Sequence, residues 1–560
     1  MRLPLSNAPI QATRKAILRL SHVLRPVRTK LVDLGLSPGR RRAIWEHPVW
    51  GPTIRGLTFA QSFLAARPLV LIMSFALVMR VYRLDLLGFN SDEAVYAGQA
   101  AAIANDPVLS QFFPVFRAHP LLFQFLLALV FHDGVDPLLA RTAAAAVGLA
   151  NVLLVYQLGR ELYGRRAGLL AALLLSFMPY HVVVSRQVLL DGPMTLCATL
   201  TLLLMARFAA THHPAWLYAA GAGMGLTFLA KETGIVLLGA IYAFLALSPE
   251  IRVRLRDLGF SLVALIAVIV PFPLSLALAG GTSAGRNYLV WQLFRRPNHE
   301  WSFYPTTVPF AIGPLLILAA LLGIWALRRE RSWKEKLLLL WIAEPILFFQ
   351  VWPVKGYQYL LPIAPAMAIL AARSLARLIS APDLKLLRWR VNSPRLGALA
   401  AGLVAVTLWI PSWQSIYPSN SGRFLAGSGG VPGGREAGEW IEQNTPEGST
   451  VMAIGPSMAN ILQFYGHRRA YGLSVSPNPL HRNPSYDPVT NPDFSIRSGA
   501  IQYLVWDAFS AGRSPFFSEK LLGYIRRYHG RAIHSELINV AAPHGGTTLK
   551  PVIVIYEVRP

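Results

Sequence analysis

The chain has 560 residues, of which 54% are hydrophobic and only 14% charged, and its mean hydropathy is +0.42. That composition excludes an ordinary soluble globule and points to a polytopic membrane protein. The net charge of +25 is no signal of nucleic acid, because the basic residues cluster in short loops between apolar runs, as membrane topology requires. Cys197 is the only cysteine, which excludes an intramolecular disulfide, and no Cys-based metal site is visible.

Residues 1–67 are basic, with Arg14, Lys15, Arg19, Arg25, Arg28, Lys30 and Arg40-Arg41-Arg42 against Asp33 and Glu46. They contain no compact apolar core of a signal peptide. The stretch reads as a cytoplasmic extension, either a partly amphipathic helix on anionic lipid or a disordered tail. A first span over 68–87 carries the chain to the outer face and into "GFNSDEAVYAGQA" (88–100), where Ser91 is expected to cap a helix and Asp92 and Glu93 oppose its dipole. On that helix Asp92, Tyr96 and Gln99 share a face, while Glu93 points about 100° away. The segment 119–132 is short for a span and is taken as a helix at the outer interface. The next span, 137–158, ends in "GRELYGRRAG", whose arginines place that end inside.

Spans at 167–186 and 193–210 bracket the outer turn "SRQVLLDGP", in which Arg186 and Asp191 are close enough in sequence to pair. Spans at 214–231 and 234–248 bracket "AKETG". After the basic "PEIRVRLRD" come a span at 258–279, a long outer loop over 280–307, and a span at 308–327 returning to "RRERSWKEK". Spans at 336–353 and 358–379 bracket "PVKGYQY", "KLLRWRVNSPR" lies inside, and the last span, 396–413, exits. This gives about eleven transmembrane helices of the length a ~30 Å hydrocarbon core demands, N-terminus in and C-terminus out.

A Gly-rich linker follows over 414–434. Beyond it helical patterns ("REAGEWIEQN", "PFFSEKLLGYIRRYHG") alternate with strand-like runs ("STVMAIG", "IQYLVWDAF", "PVIVIYEV"), so 435–560 is expected to be an extracytoplasmic α/β domain. No GxGxxG turn follows a strand, and a dinucleotide site is not expected.

The threading collects unusual residues on one face. They are Asp92 and Glu93, Arg141 at the mouth of the second span, Arg186 and Asp191, Lys231 and Glu232, the loop residues Arg286, Arg295, Arg296 and His299, and Lys355, Tyr357 and Tyr359. Each has a plain alternative: helix capping for the acidic pair, snorkelling for Lys231 and Lys355, interfacial anchoring for Arg141, and an aromatic belt for Trp352 and the tyrosines. Their common side favours a shared role, since snorkelling does not select the outer face and the charge rule disfavours cations there. Acids and cations at outer helix mouths suit an anionic lipid head group with a general base beside it.

These features occur in a telling order: "NSDEAVYA", "HPLLF", "ARTAAAAVGLANVLLVYQLGRELYGRRAG", "SRQVLLDGPMTL", "LAKETGI" and "KGYQYLLPIAPAMAIL". The ordered set over residues 68–380 resembles the GT-C glycosyltransferases of the protein O-mannosyltransferase and aminoarabinose transferase kind. The resemblance implies a polyprenyl-phosphate sugar donor, transfer with inversion, and a catalytic carboxylate in a first outer loop, here 88–136. Asp92 matches the family's essential acid, Glu93 its neighbour and Asp191 the second outer acid. Arg141, Lys231 and Lys355 match cations near the donor phosphate, and Tyr357, beside Lys355, is expected to join them in binding it. His119, in "HPLLF", stands where relatives often have Lys or another polar residue. The 280–307 loop is too short for the extra domain that O-mannosyltransferases insert, which favours a lipid or glycan acceptor over a protein one.

The expected function is therefore transfer of a sugar from polyprenyl phosphate to an acceptor hydroxyl on the extracytoplasmic face of the cell (inner) membrane, with Asp92 as general base. The acids form no dense ligand cluster, so no metal or other cofactor is assigned. The rivals are a transporter or flippase of a lipid-linked sugar, and a non-catalytic membrane scaffold. Against the transporter, acidic residues inside spans are few, Glu344 being the clearest, and internal repeat symmetry is not evident.

Overall fold

The computed structural model describes residues 67–560 apart from 117–118, 281, 331, 382–383, 387–388, 418–430, 542–546 and 560. The basic N-terminal extension and most of the Gly-rich linker lie outside the described residues. Residues 67–71 group with the extension and the remainder forms one compact unit.

That unit is mostly helical up to residue 417, and the chain reads as a multi-pass membrane protein. Among the described residues, helices Pro137–Tyr163, Asp191–Thr211, Leu255–Leu278, Tyr357–Ser380 and Ser393–Gln414 are long and apolar enough to span a membrane. Two further candidates are bent. Arg165–Phe177 meets Pro179–Ser185 at 63°, and Phe303–Ile312 meets Pro314–Ala326 at 89°. Proline causes both bends. Met178, just before Pro179, is extended at φ −67°, ψ 118°, as pre-proline sterics favour. Gly313, just before Pro314, takes φ +103°, a conformation that glycine adopts readily.

The count of five spans, or up to seven with the bent pairs, is lower than the expected eleven. Pro214–Ala230 has 17 residues and Leu237–Leu247 has 11, because the chain breaks helix at Lys231–Val236 to present polar groups. Trp333–Val351 carries Lys334, Glu335, Lys336 and Glu344, which dilutes its apolar character. Burial separates centre from periphery: 83% of the apolar window in Tyr357–Ser380 is buried, against 11% in Leu255–Leu278.

Local chemistry sets the helix ends. Asp136 caps Pro137–Tyr163 through the amides of Leu138 and Leu139, with Pro137 in the first turn, and Gly164 at φ +87° closes it. Several helix ends meet through side chains. Arg166 donates to Ser380, and Arg377 pairs with Glu330. Tyr163 and buried Arg373 both meet Glu335.

After a small hairpin, β1 (Leu384–Leu386) with β2 (Trp389–Val391), the C-terminal residues form a mixed sheet. Its strands are β3 (Thr450–Ala453), β4 (Arg469–Gly472), β5 (Tyr503–Asp507), β6 (Arg531–Ala541) and β7 (Thr547–Glu557), in the order β4-β3-β5-β7-β6. β3 runs parallel to β4 and β5, while β7 is antiparallel to β5 and β6. Met452, Ile454, Leu504, Leu521 and Ile525 fill the core between sheet and helices. The edge strands β4 and β6 lack a clean apolar alternation, and sequence patterning passes over them. Helix Pro456–Gly466 joins this part to the first long loop. The Tyr465 hydroxyl accepts from the Phe89 amide at 2.8 Å, Phe464 packs against Phe89 and Phe113, and Arg435 pairs with Asp85.

Candidate active site

Helix Ser91–Ile103 positions the acidic pair. Its cap is Asn90 rather than Ser91: the Asn90 side chain accepts from the amides of Asp92 and Glu93, and the Glu93 carboxylate accepts from the Asn90 amide, a full capping box. Asn90 serves because its extended backbone (φ −78°, ψ 175°) aims the side-chain oxygen at the first turn. Ser91 instead accepts a hydrogen bond from Asn460 at 3.0 Å.

The cap divides the two acids. Glu93 is fully buried and takes Nε and Nη2 of Arg141 on its two oxygens, both at 2.8 Å, with the Val188 amide as a further donor. Arg141 gives its other N–H groups to the carbonyls of Leu84, Leu87 and Gly88. All five guanidinium donors are thereby engaged. The expected place of Arg141 on a donor phosphate thus has no free N–H to supply it, and Glu93 is held away from Asp92 by the same pairing. Together they clamp the chain where it leaves helix 67–81 and turns into Ser91–Ile103.

Asp92 is the opposite case. Among the described residues its partly buried carboxylate has no hydrogen-bond partner. Burial pushes its pKa up from the ordinary value, with Lys231 and His119 pulling against that, Asp191 adding to it, and Arg295 opposing it more weakly. The acid therefore faces groups from four other segments that are remote in sequence.

Two ion pairs line this centre. Lys231 donates to both oxygens of Asp191 at 2.8 and 2.9 Å, both side chains are buried, and the ammonium lies 4.9 Å from the centre of the Tyr359 ring. Arg186 does not share Asp191; it donates to the carbonyls of Met79, Arg80, Tyr82 and Arg83. The second pair is His119 Nδ1 with Glu232 at 2.7 Å. Burial would raise the Glu232 pKa, but His119 and Lys231 hold it below its usual value. Lys231 and Glu232 are neighbours on a chain that passes from extended (φ −163°, ψ 129°) into a 3-10 turn. One therefore reaches Asp191 and the other His119. Tyr96, one turn after Asp92, and Tyr288 pack edge-on against the His119 ring. Arg295 lies on the Trp291 ring, 4.5 Å from its centre, with one contact to Gln292 at 3.5 Å.

The other expected residues serve the turn after Trp333–Val351. Lys355 donates to the carbonyls of Gln350 and Trp352, and its backbone is bracketed by Asn298. Tyr357 is buried, its carbonyl accepts from the Tyr180 hydroxyl, and among the described residues its own hydroxyl has no partner. His299 stacks on Phe303. Of the expected set, the structure gathers Asp92, Asp191 and Lys231. It also brings in Glu232, Arg295, Tyr96 and His119, which the sequence had singled out, adds Tyr288, and engages Glu93, Arg141 and Lys355 elsewhere. "HPLLF" and "AKETG" carried a signal for His119 and Glu232, but no spacing links residues so far apart. Among the described residues no three His, Cys, Asp or Glu side chains gather as a metal site.

Known proteins share this arrangement of the chain. Residues 118–276 match the family dolichyl-phosphate-mannose-protein mannosyltransferase. Undecaprenyl phosphate-alpha-4-amino-4-deoxy-L-arabinose arabinosyl transferase 1 of Sodalis glossinidius is 31% identical over 264 residues, 44% of each chain. A transferase of the same name from Pectobacterium carotovorum is 28% identical over 289 residues, 47% of this chain and 51% of that one. The chain thus spans about half the length of the curated relatives it matches. ArnT from Cupriavidus metallidurans in the apo state superposes with a TM-score of 0.63 at 17% identity, covering 88% of this chain and 98% of that one. Family match, relatives and fold agree with the ordered motifs read from the sequence, and the chain is a relative of the GT-C glycosyltransferases with their fold.

Proposed function

We propose that the chain transfers a sugar from a polyprenyl-phosphate donor to an acceptor hydroxyl at the extracytoplasmic face of the membrane. The observation that carries this reading is Asp92, whose carboxylate has no hydrogen-bond partner among the described residues and lies within the electrostatic reach of Lys231, His119 and Arg295. Its support comes from relatives named as undecaprenyl-phosphate aminoarabinose transferases, and from ArnT of Cupriavidus metallidurans, whose structure bound to undecaprenyl phosphate aligns with a TM-score of 0.58.

In this reading the acceptor oxygen attacks the anomeric carbon and the bond from that carbon to the phosphate oxygen breaks. The hydroxyl proton passes to Asp92, and polyprenyl phosphate leaves with the electron pair. Phosphate is a good leaving group, so cations that stabilise its developing charge matter more than an acid. Lys231, held by Asp191, and Arg295, whose guanidinium is only lightly engaged, take that role. Arg141 and Glu93 position the loop, and Lys355 with Tyr357 fixes the turn that carries Tyr359. The domain division follows: a transmembrane catalytic part over 68–413, a linker, and an α/β part from about 435 on the same side as the site.

The test is direct. Purified full chain is incubated with a labelled undecaprenyl-phosphate sugar and a membrane extract. Label should move to a new product with wild type, and Asp92→Asn should cut transfer by at least ~10²-fold, the usual contribution of a positioned base. Unmodified donor moving between leaflets without a product would point to a flippase and overturn the reading.

A further inference from the structure

A cleft of 530 Å³ lies beside the centre described above. Its walls are the first loop around Phe112, Asn287 on helix Thr282–Leu293, helix Pro456–Gly466, the edge strand β4, and the 484–487 segment. That volume falls in the range of roughly 300–1,000 Å³ typical of ligand sites. We infer that this cleft is a carbohydrate-binding subsite that holds the sugar part of the acceptor next to Asp92; the inference rests on the glycosyl-transfer reading.

The lining is what a sugar needs. On β4 the side chains alternate, so Ala470 and Gly472 are buried while Arg469 and Tyr471 face away from the core. Phe112, Tyr471 and Tyr486 contribute aromatic rings to the lining, a residue type suited to the C–H surface of a sugar. Gln463 and Asn287 are amides able both to donate and to accept, and among the described residues neither side chain has a hydrogen-bond partner. Arg469 and Asp487 add one charge of each sign. Neutral amides, aromatic rings and balanced charge suit a polyol better than a phosphate-rich or purely apolar ligand.

Two lining residues connect the cleft to the reaction centre. Asn460, which lines it, donates to Ser91 at 3.0 Å, and Ser91 precedes Asp92. Asn287 precedes Tyr288, whose ring packs on His119.

The experiment uses the detergent-purified full chain on a glycan array, with undecaprenyl-phosphate-induced thermal stabilisation measured in parallel. Wild type should bind oligosaccharides. Tyr471→Ala should weaken that binding on the order of tenfold through loss of the ring contact, and Tyr471→Phe should retain it. Gln463→Leu should also weaken it, and undecaprenyl phosphate should stabilise every variant equally. In the transfer assay Tyr471→Ala should raise the acceptor KM and leave kcat near wild type. Binding of no glycan by wild type, or equal glycan binding by Tyr471→Ala, overturns the subsite. Failure of label transfer by wild type, with array binding intact, instead overturns the glycosyl-transfer reading and leaves a glycan-binding cleft.

Discussion

Asp92 and Glu93 are adjacent in sequence and opposite in physics. Burial holds the Asp92 carboxyl above its ordinary pKa, so its protonated form is favoured in the folded state. The stability it contributes is complete below the unfolded pKa and is lost as pH rises through the folded one. At neutral pH the charged group is a cost, and Asp92→Asn should have a melting temperature equal to or above wild type while losing transfer. A clear fall in melting temperature would show that Asp92 is structural. As a base, Asp92 works only ionised. The acid limb of kcat/KM should therefore lie above the ordinary carboxyl value of ~3.9, and a limb at or below it would remove Asp92 from that role. Glu93 is buried with its charge fully matched by Arg141. Glu93→Ala strands a buried guanidinium and should destabilise the fold by about 3–5 kcal/mol, read as a loss of folded protein in thermal or denaturant unfolding.

At the scale of elements, capping and proline decide where polar groups surface. The Asn90 cap fixes which way the first turn of Ser91–Ile103 faces, and with it the direction of Asp92. Asn90→Ala should cost ~1 kcal/mol; Ser91→Ala leaves the cap intact, and its cost is confined to the hydrogen bond from Asn460. The sharp bend at Gly313–Pro314 allows Phe303–Ile312 to run across the end of the turn at 356, where Tyr304 bonds Gly356. Gly313→Ala, at φ +103° and against Leu408, should destabilise by about 1–3 kcal/mol, measured by thermal unfolding. Hydropathy showed these apolar stretches as single spans because mean apolarity does not register a proline that keeps the apolar run going while turning its axis.

For the whole molecule, the C-terminal sheet is tied to the site rather than appended to it. Phe464 is buried between Phe89 and Phe113, the Tyr465 hydroxyl holds the loop backbone at Phe89, and the Asn460 side chain donates to the Ser91 hydroxyl. Gly88 permits this approach, since a Cβ there would sit 2.6 Å from that of Arg435. Phe464→Ala should cost about 3–5 kcal/mol at this contact and raise hydrogen exchange in both 88–116 and 456–466. Exchange that rises only in 456–466 would show that the two parts are independent.

The sequence by itself determined the solvent and the relatives to which the chain is similar. Apolar runs of spanning length and basic loops required a membrane, and the ordered motifs pointed to the GT-C relatives. Asp92, Asp191 and Lys231 were legible because an ionised side chain at a helix mouth is costly and therefore conspicuous. Tertiary structure decided the pairing. Whether an arginine binds a ligand or clamps a loop depends on where its five N–H groups point, and Arg141 is spent on Glu93 and three carbonyls. His119 meets Glu232 across 113 residues of chain, and the cleft lies between segments more than 300 residues apart. Local periodicity and capping act over a few residues. Contacts between distant segments are set by packing, and no spacing in the sequence records them.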